Sequence, residues 1–455
     1  MGQVGNRLER LVRQNQKEHR VPAIQAAVHR GDRPLWAFQV GTAGDGRTLD
    51  EATQFRIGSV TKTFTAVMVL QCRDEGLLDL DDRIADHLTV PKHGEVTLRR
   101  LLSHTSGLQR EPYGDIWDTL KAPELEQALD ELRQAERVLP PSRRFHYSNL
   151  GFGLLGQIVA AKHGASWGEL LFDRVVRPLD LSGVATGPTE LSATGYLVDT
   201  YSDHVRAEPP VSLGAVAPAG ELWGTATDMA KWAAFLADPA TVDPKAEVLA
   251  ADTLQEMSFP LAVRDEVVWR SAFGLGVILM PRENRVIDVG HGGAMPGFLA
   301  EVYGRRGPDV PPATGAAVLI SSGTAAGVLD LTHELLDVAL EEDPPEIQPW
   351  TPGEPAPEAY RSVLGRWWGE GFEYVFSWRD GRLQAKGATD PADQPPSVFA
   401  PEGADLLRTV SGREAGELLR LTRDETGRVV KLHWATYRYT RQQEGFDGVP
   451  VSDAR

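Results

Sequence analysis

Residues 55–62 read Phe-Arg-Ile-Gly-Ser-Val-Thr-Lys and run into an apolar segment holding Ala66, Val67, Val69 and Leu70. A serine and a lysine at i and i+3 of a helix share a face, so the amine of Lys62 can reach the hydroxyl of Ser59. A serine hydroxyl is a poor nucleophile until a base removes its proton. At the opening turn of a helix, the positive end of the dipole favours a developing alkoxide. Dipole and burial together push Lys62 toward its neutral, proton-accepting form. A plainer reading has Ser59 capping the helix and Lys62 snorkelling out to water. The two readings part on whether Lys62 lies inside.

Two further stretches carry groups of the same kind. Phe-His-Tyr-Ser-Asn, residues 145–149, places Tyr147 and Asn149 just ahead of a second apolar helix. A phenol beside an ammonium ionises more readily and can shuttle a proton. Its plain alternative is a core tyrosine followed by an N-cap asparagine. Gly-His-Gly-Gly-Ala, residues 290–294, sits at a strand end. Gly292 and Gly293 there let a substrate approach the backbone closely, unless they are an ordinary glycine turn.

In this order the three stretches resemble the serine β-lactamase and penicillin-binding protein superfamily, whose general signature is S-x-x-K, S-D-N and K-T-G. Tyr-x-Asn and His-Gly-Gly replace the second and third elements. That departure resembles the class C-like branch, which includes D-alanyl-D-alanine peptidases, D-aminopeptidases and β-lactamase-like esterases. Leu101–Leu108 and Pro218–Trp232 also look like that family.

The resemblance implies Ser59 as acylated nucleophile, Lys62 as its proton acceptor, and Tyr147 as the group returning a proton to the leaving group. It implies an oxyanion hole from the backbone N–H groups of Ser59 and Ala294. Asn149 would position Lys62 and the substrate, and His291, Gly292, Gly293 and Trp223 would line the substrate side. The implied fold is an α/β sandwich, an antiparallel sheet flanked by helices, with an all-helical insertion carrying Tyr147. No cofactor and no metal are implied.

The elements that must hold these groups are legible as periodicity. Leu8, Leu11 and Val12 mark a first helix. Residues 23–31 and 34–41 read as strands turning at Gly31 and Asp32. Helices follow from Ser59, over 97–108, over 123–135, from Leu150 to a stop at Gly164, and after a cap at Thr225 or Thr227. Residues 272–280, 285–293, 299–307 and 316–323 read as strands, and 328–340 as a closing helix. Residues 1–341 therefore form one expected domain, 342–359 a linker rich in proline and acid, and 360–455 a small all-β domain. That domain resembles the lipocalin-like barrels appended to some of these hydrolases. Trp367, Trp368, Trp378 and Trp434 would fill its core or form a ligand cup.

Two features look like chemistry and carry none. Gly151, Gly153 and Gly156 match G-x-G-x-x-G, but no hydrophobic strand precedes them, so they read as close helix packing. His104, in Ser-His-Thr-Ser-Gly, reads as a loop histidine satisfied by backbone groups. No metal-ligand spacing occurs.

Composition bounds the partners. A net charge of −17 over 455 residues argues against nucleic acid and anionic membrane surfaces. Cys72 is the only cysteine, which excludes internal disulfides and thiolate metal sites. With no apolar leader or spanning run, the expectation is a cytoplasmic protein and a possible homo-oligomer. His291, mostly neutral where β-lactamases present a lysine, weakens selection for anionic β-lactams. The expected activity is therefore that of a carboxylesterase or D-amino-acid amidase/peptidase on small esters or amides. A β-lactamase or D-alanyl-D-alanine carboxypeptidase stands second, and a silent ligand-binding scaffold is the non-enzymatic alternative.

Overall fold

A computed structural model describes residues 3–451 other than 45, 143, 329 and 348. The chain divides into two compact units, Met1–Glu346 and Ile347–Arg455.

The first unit is built on a nine-stranded antiparallel sheet. At its centre Ala23–Arg30 pairs with Thr314–Ile320, followed outward by Phe298–Arg306 and Ile287–Met295. Val28, Val318 and Ile320 have no solvent contact worth the name, and both faces of these strands are covered, which is why they read as apolar runs. Helices Gln3–Glu18 and Leu331–Glu342 cover one face through Leu8, Val12, Leu331 and Leu335. Helix Ala226–Ala237 covers the other, capped by Thr225, whose hydroxyl accepts from the Asp228 N–H. Between Arg56 and Ala262 the chain is mainly helical, and this long excursion carries the Ser59 and Tyr147 stretches.

Two expected elements differ. The helix over 123–135 shrinks to Leu125–Glu131, which buries none of its residues. Without an apolar face to bury, helical spacing alone does not extend it. The strand over 272–280 breaks into Ala272–Phe273 and Ile278–Pro281. Gly276 turns between them at φ +78, and a Cβ there would lie 2.4 Å from the Ala66 Cβ on the Ser59 helix. The close approach, not strand propensity, sets this corner.

One buried charge cluster ties sheet to helix. Asp288 is wholly buried and accepts from Arg305 at 2.6 and 2.9 Å, from Arg282 at 2.8 Å, and lies 2.8 Å from His333 Nδ1. Burial alone would raise its carboxyl, but hydrogen bonds from Arg305 and His333 outweigh that and hold it well below the usual carboxylate range. A depressed folded pKa contributes stability above the ordinary aspartate range of about 4, lost as pH falls through the folded value. Asp288→Ala leaves Arg305 buried without its main counter-charge and is expected to cost about 3–5 kcal/mol. Hydrogen exchange along Ile287–Met295 measures it: the variant should exchange faster at neutral pH and lose the acid dependence of the parent.

The second unit is a closed eight-stranded antiparallel barrel running from Gly365 to Thr440. Trp367 and Trp434 fill its interior with Phe376, Phe399 and Tyr439, while Trp378 stacks on Tyr360 with ring centroids 5.6 Å apart. Two of the four tryptophans thus build the core, and the barrel interior is packed with side chains. The hairpin turn at Asp380–Gly381 has positive φ at both residues, as a two-residue turn between twisted strands requires. Among the described residues, no helix is long and apolar enough to cross a membrane.

Candidate active site

Gly58–Val60 form a single 3₁₀ turn, and the helix Thr61–Asp74 begins directly after it. Ser59 therefore precedes the α-helix instead of occupying its first turn, and no side chain caps that helix. Lys62 does not snorkel. It is fully buried, while Ser59 is half-exposed. The Lys62 Nζ lies 3.1 Å from Ser59 Oγ and donates to the Ala219 carbonyl at 2.6 Å. Burial pushes the amine well below the ordinary lysine range; Glu111 opposes the shift and Arg110 adds to it.

The Ala219 carbonyl is held by packing. Residues Gly214–Ala219 form a 3₁₀ segment against the helix Asn149–His163. A Cβ on Gly153 would stand 2.6 Å from Val216 Cγ1, and one on Gly156 2.1 Å from Pro218 Cγ. Gly153 and Gly156 of the G-x-G-x-x-G match are thus contact points between helix and segment, and Gly151 packs on Leu101 instead, all three close contacts as their sequence context suggested. On the other side Thr65 Oγ1 donates to the Pro218 carbonyl at 2.7 Å.

Tyr147 lies across the amine, with Lys62 Nζ 4.8 Å from its ring centroid. Its ring is partly exposed, but its hydroxyl is buried and lacks a well-aligned hydrogen-bond partner. Burial raises the phenol above its ordinary value, and hydrogen bonding toward Ser59 is the largest opposing influence. The expectation of a readily ionised phenol thus fails here: desolvation outweighs the lowering influence of Ser59, Arg110 and Arg264. Burial thus favours the uncharged form of both groups.

Asn149 starts its helix, but the cap is Ser148, whose hydroxyl accepts from Gly151 N–H at 3.1 Å. The Asn149 Nδ2 donates to Glu111 at 2.7 Å, leaving Oδ1 buried and unpartnered. No hydrogen bond joins Asn149 to Lys62; the Ala219 carbonyl orients the amine instead.

His291 is buried on the strand Ile287–Met295, its ring centroid 6.1 Å from that of Tyr147. Its Nδ1 lies 2.5 Å from the Gly292 carbonyl, so Nδ1 carries the proton and the buried Nε2 is a free acceptor. Burial, with Lys62 nearby, lowers the imidazole to about 3, so it is neutral at physiological pH.

The two following glycines make room for protein atoms instead of substrate. A Cβ on Gly293 would sit 1.9 Å from the Ile57 carbonyl and 3.2 Å from Ser59 N, and one on Gly292 2.4 Å from a Glu301 carboxylate oxygen. Gly58, at φ +52, completes the contact: its missing Cβ would lie 2.8 Å from Ala294 N. Strand and serine turn are pressed together, which brings the backbone nitrogens of Ser59 and Ala294 to one place. Trp223 is buried. It is a core residue, its ring 5.2 Å from Phe298 and its indole N–H unpartnered.

Several neighbours escaped the sequence reading. Glu111 lies beside Asn149, and the Arg110 guanidinium stands 4.9 Å from the Tyr147 ring centroid. Arg264 lies 6.0 Å from the Phe273 ring, which packs on Tyr147 and His291. These come from loops and an edge hairpin with no periodic pattern. The Ala219 carbonyl is a main-chain group that no residue type announces.

Comparison with known proteins places the chain by family and fold. The β-lactamase family model matches residues 8–336, and a family described only as a domain of unknown function matches 356–441. Penicillin-binding protein 4 of Amycolatopsis lactamdurans is 31% identical over 376 residues, 78% of this chain and 95% of that protein. The crystal structure of SurE superposes with a TM-score of 0.63 at 23% identity, over 96% of this chain and 98% of that one. The D-amino acid amidase of Ochrobactrum anthropi SV3, complexed with L-phenylalanine, gives 0.59 at 23% identity over 74% and 98%. At such identities the two structures speak to the fold alone. The chain belongs to the β-lactamase family, and its first unit has the fold of the serine β-lactamase and penicillin-binding protein hydrolases.

Proposed function

We propose that this protein hydrolyses small esters or amides through a covalent acyl-enzyme on Ser59, as a D-amino-acid amidase/peptidase or carboxylesterase. The observation that carries the reading is the buried amine 3.1 Å from the serine hydroxyl and fixed by the Ala219 carbonyl. Ser59 Oγ attacks the substrate carbonyl as neutral Lys62 accepts its proton. Negative charge develops on the carbonyl oxygen, where the N–H groups of Ser59 and Ala294 stabilise it. Tyr147, protonated at rest, gives its proton to the departing oxygen or nitrogen and recovers one from Lys62. Water then attacks the ester carbonyl, Ser59 leaves with a proton, and the resting state returns.

Amides bearing N–H donors are favoured by the free acceptors at Asn149 Oδ1 and His291 Nε2. Each buried acceptor without a donor costs about 1–3 kcal/mol, which a substrate N–H would offset. Arg110 and Arg264 support a second reading, because both are exposed guanidinium groups close to the Tyr147 and Phe273 rings. They would suit a substrate carboxylate, as in D-alanyl-D-alanine peptides or β-lactams.

A hydrolysis panel tests the choice: p-nitrophenyl esters of short acids, D- and L-amino-acid anilides, a D-alanyl-D-alanine peptide and a chromogenic cephalosporin. D-amino-acid anilides or short esters should exceed the cephalosporin by about tenfold or more in kcat/KM, equivalent to about 1.4 kcal/mol. A cephalosporin turned over best would move the assignment to β-lactamase. No turnover of any member would favour the silent scaffold.

A further inference from the structure

His104 is buried with no solvent contact and sits at φ +55, in the left-handed region that few histidines adopt. It is held there by what it does to one short loop. Its carbonyl accepts from the His146 N–H at 2.8 Å, and its Nδ1 accepts from the Ser148 N–H at 3.1 Å. Those two donors flank Tyr147. Between them, the His104 ring stacks on the phenol ring with centroids 4.3 Å apart and planes 28° apart. Phe145, Phe152 and Phe273 close around the imidazole with ring centroids 5.6, 5.1 and 5.2 Å away, separations typical of aromatic clusters. Because Nδ1 accepts, the proton is on Nε2, and burial among these rings with Lys62 and His291 nearby keeps the imidazole neutral.

The sequence reading had backbone groups satisfying this histidine. The structure gives only half of that: Nδ1 has a backbone partner, and the buried Nε2 has none. A left-handed backbone and an unpartnered buried N–H are both energetic costs. The return is a tyrosine fixed on both sides in the chain and on one face of its ring.

We propose that His104 is a positioning residue for Tyr147, fixing the phenol hydroxyl over Ser59 and Lys62 for proton transfer to the leaving group. The inference rests on the role assigned to Tyr147 above. His104 touches neither substrate nor reacting atoms; it acts through the tyrosine.

The test uses two substitutions and two kinds of ester. Asparagine tolerates the left-handed backbone, and its Oδ1 can accept from Ser148 N–H, so His104→Asn keeps the loop and removes only the stacked ring. His104→Ala removes both and strains the backbone, and should melt at lower temperature. An alkyl ester needs its leaving oxygen protonated, whereas p-nitrophenolate departs unaided. His104→Asn is expected to lower kcat on the alkyl ester by about 10- to 100-fold, the scale of a misplacement near 1 Å, with nearly unchanged rates on the p-nitrophenyl ester. In a Tyr147→Phe background the same substitution should have no further effect on the alkyl ester. Equal losses on both esters, or an undiminished loss without the Tyr147 hydroxyl, would make His104 merely structural and overturn the proposal. A wild-type rate for Tyr147→Phe alone would instead remove the role of Tyr147 on which it rests.

Discussion

Ser59→Ala is expected to lower hydrolysis of p-nitrophenyl butyrate by about 10⁴-fold or more, the scale seen when a nucleophile that acts with its base is deleted. The substitution should leave the fold untouched. Ser59 is half-exposed, its hydroxyl caps no helix, and its one well-defined contact is with Lys62. With the hydroxyl gone, Lys62 still donates to the Ala219 carbonyl, so the buried amine keeps a partner. Melting temperature should therefore stay within a few degrees of the parent while turnover vanishes. Intact-mass analysis supplies the matching positive signal. Parent protein quenched in acid during turnover of a slowly released ester should carry one acyl group, absent from Ser59→Ala. Full turnover by the variant would remove Ser59 from the chemistry, and an acyl group on another residue would relocate it.

The parts of this site that the sequence made legible share one property: they depend on local spacing. Ser59 and Lys62 are one turn apart, so their contact at 3.1 Å needs only a helical backbone. The glycines at 151, 153 and 156 announced close helix packing, and they do make it, Gly151 against Leu101, Gly153 against Val216 and Gly156 against Pro218. Strands 287–295, 298–306 and 314–320 were readable because double-sided burial leaves few polar residues in them. What failed depended on long-range approach. Gly292 and Gly293 carry the same letters whether they face a substrate or, as here, a glutamate side chain and the Ile57 carbonyl. Asn149 is an N-terminal helix residue in either reading, and only tertiary placement of Glu111 decides what its amide meets. The ionisation of Tyr147 was misjudged for a related reason. A nearby cation lowers a phenol, but burial acts the other way: desolvation dominates at Tyr147 and pushes Lys62 toward its uncharged form as well.

The second large effect separates stability from activity at Lys62, and its two substitutions should diverge in one measurement and agree in the other. Lys62→Met keeps the unbranched stem in a fully buried site and discards the amine. It leaves the Ala219 carbonyl and Ser59 hydroxyl unpaired with nitrogen, but spares the fold the burial of an ionisable group. Lys62→Arg places a group that cannot deprotonate in the same enclosure. The methionine variant should melt at or above the parent temperature, and the arginine variant well below it, a loss of about 3–5 kcal/mol for an unpaired buried charge. Both should lose about 10²–10⁴-fold in kcat, because neither can take the proton of Ser59. The pH dependence gives the sign independently. The folded pKa of Lys62 lies below its unfolded value near 10.4, so the unfolded chain binds the extra proton first as pH falls. The contribution is therefore complete above about pH 10.4 and declines as pH falls toward the folded value. Parent stability should rise with pH across that window, and Lys62→Met should lack this component. Activity follows the same group: the parent rate should climb as Lys62 deprotonates, and the limb should disappear in both variants. A methionine variant that retained parental kcat would show that the amine is a structural strut to the Ala219 carbonyl, with the base to be sought elsewhere.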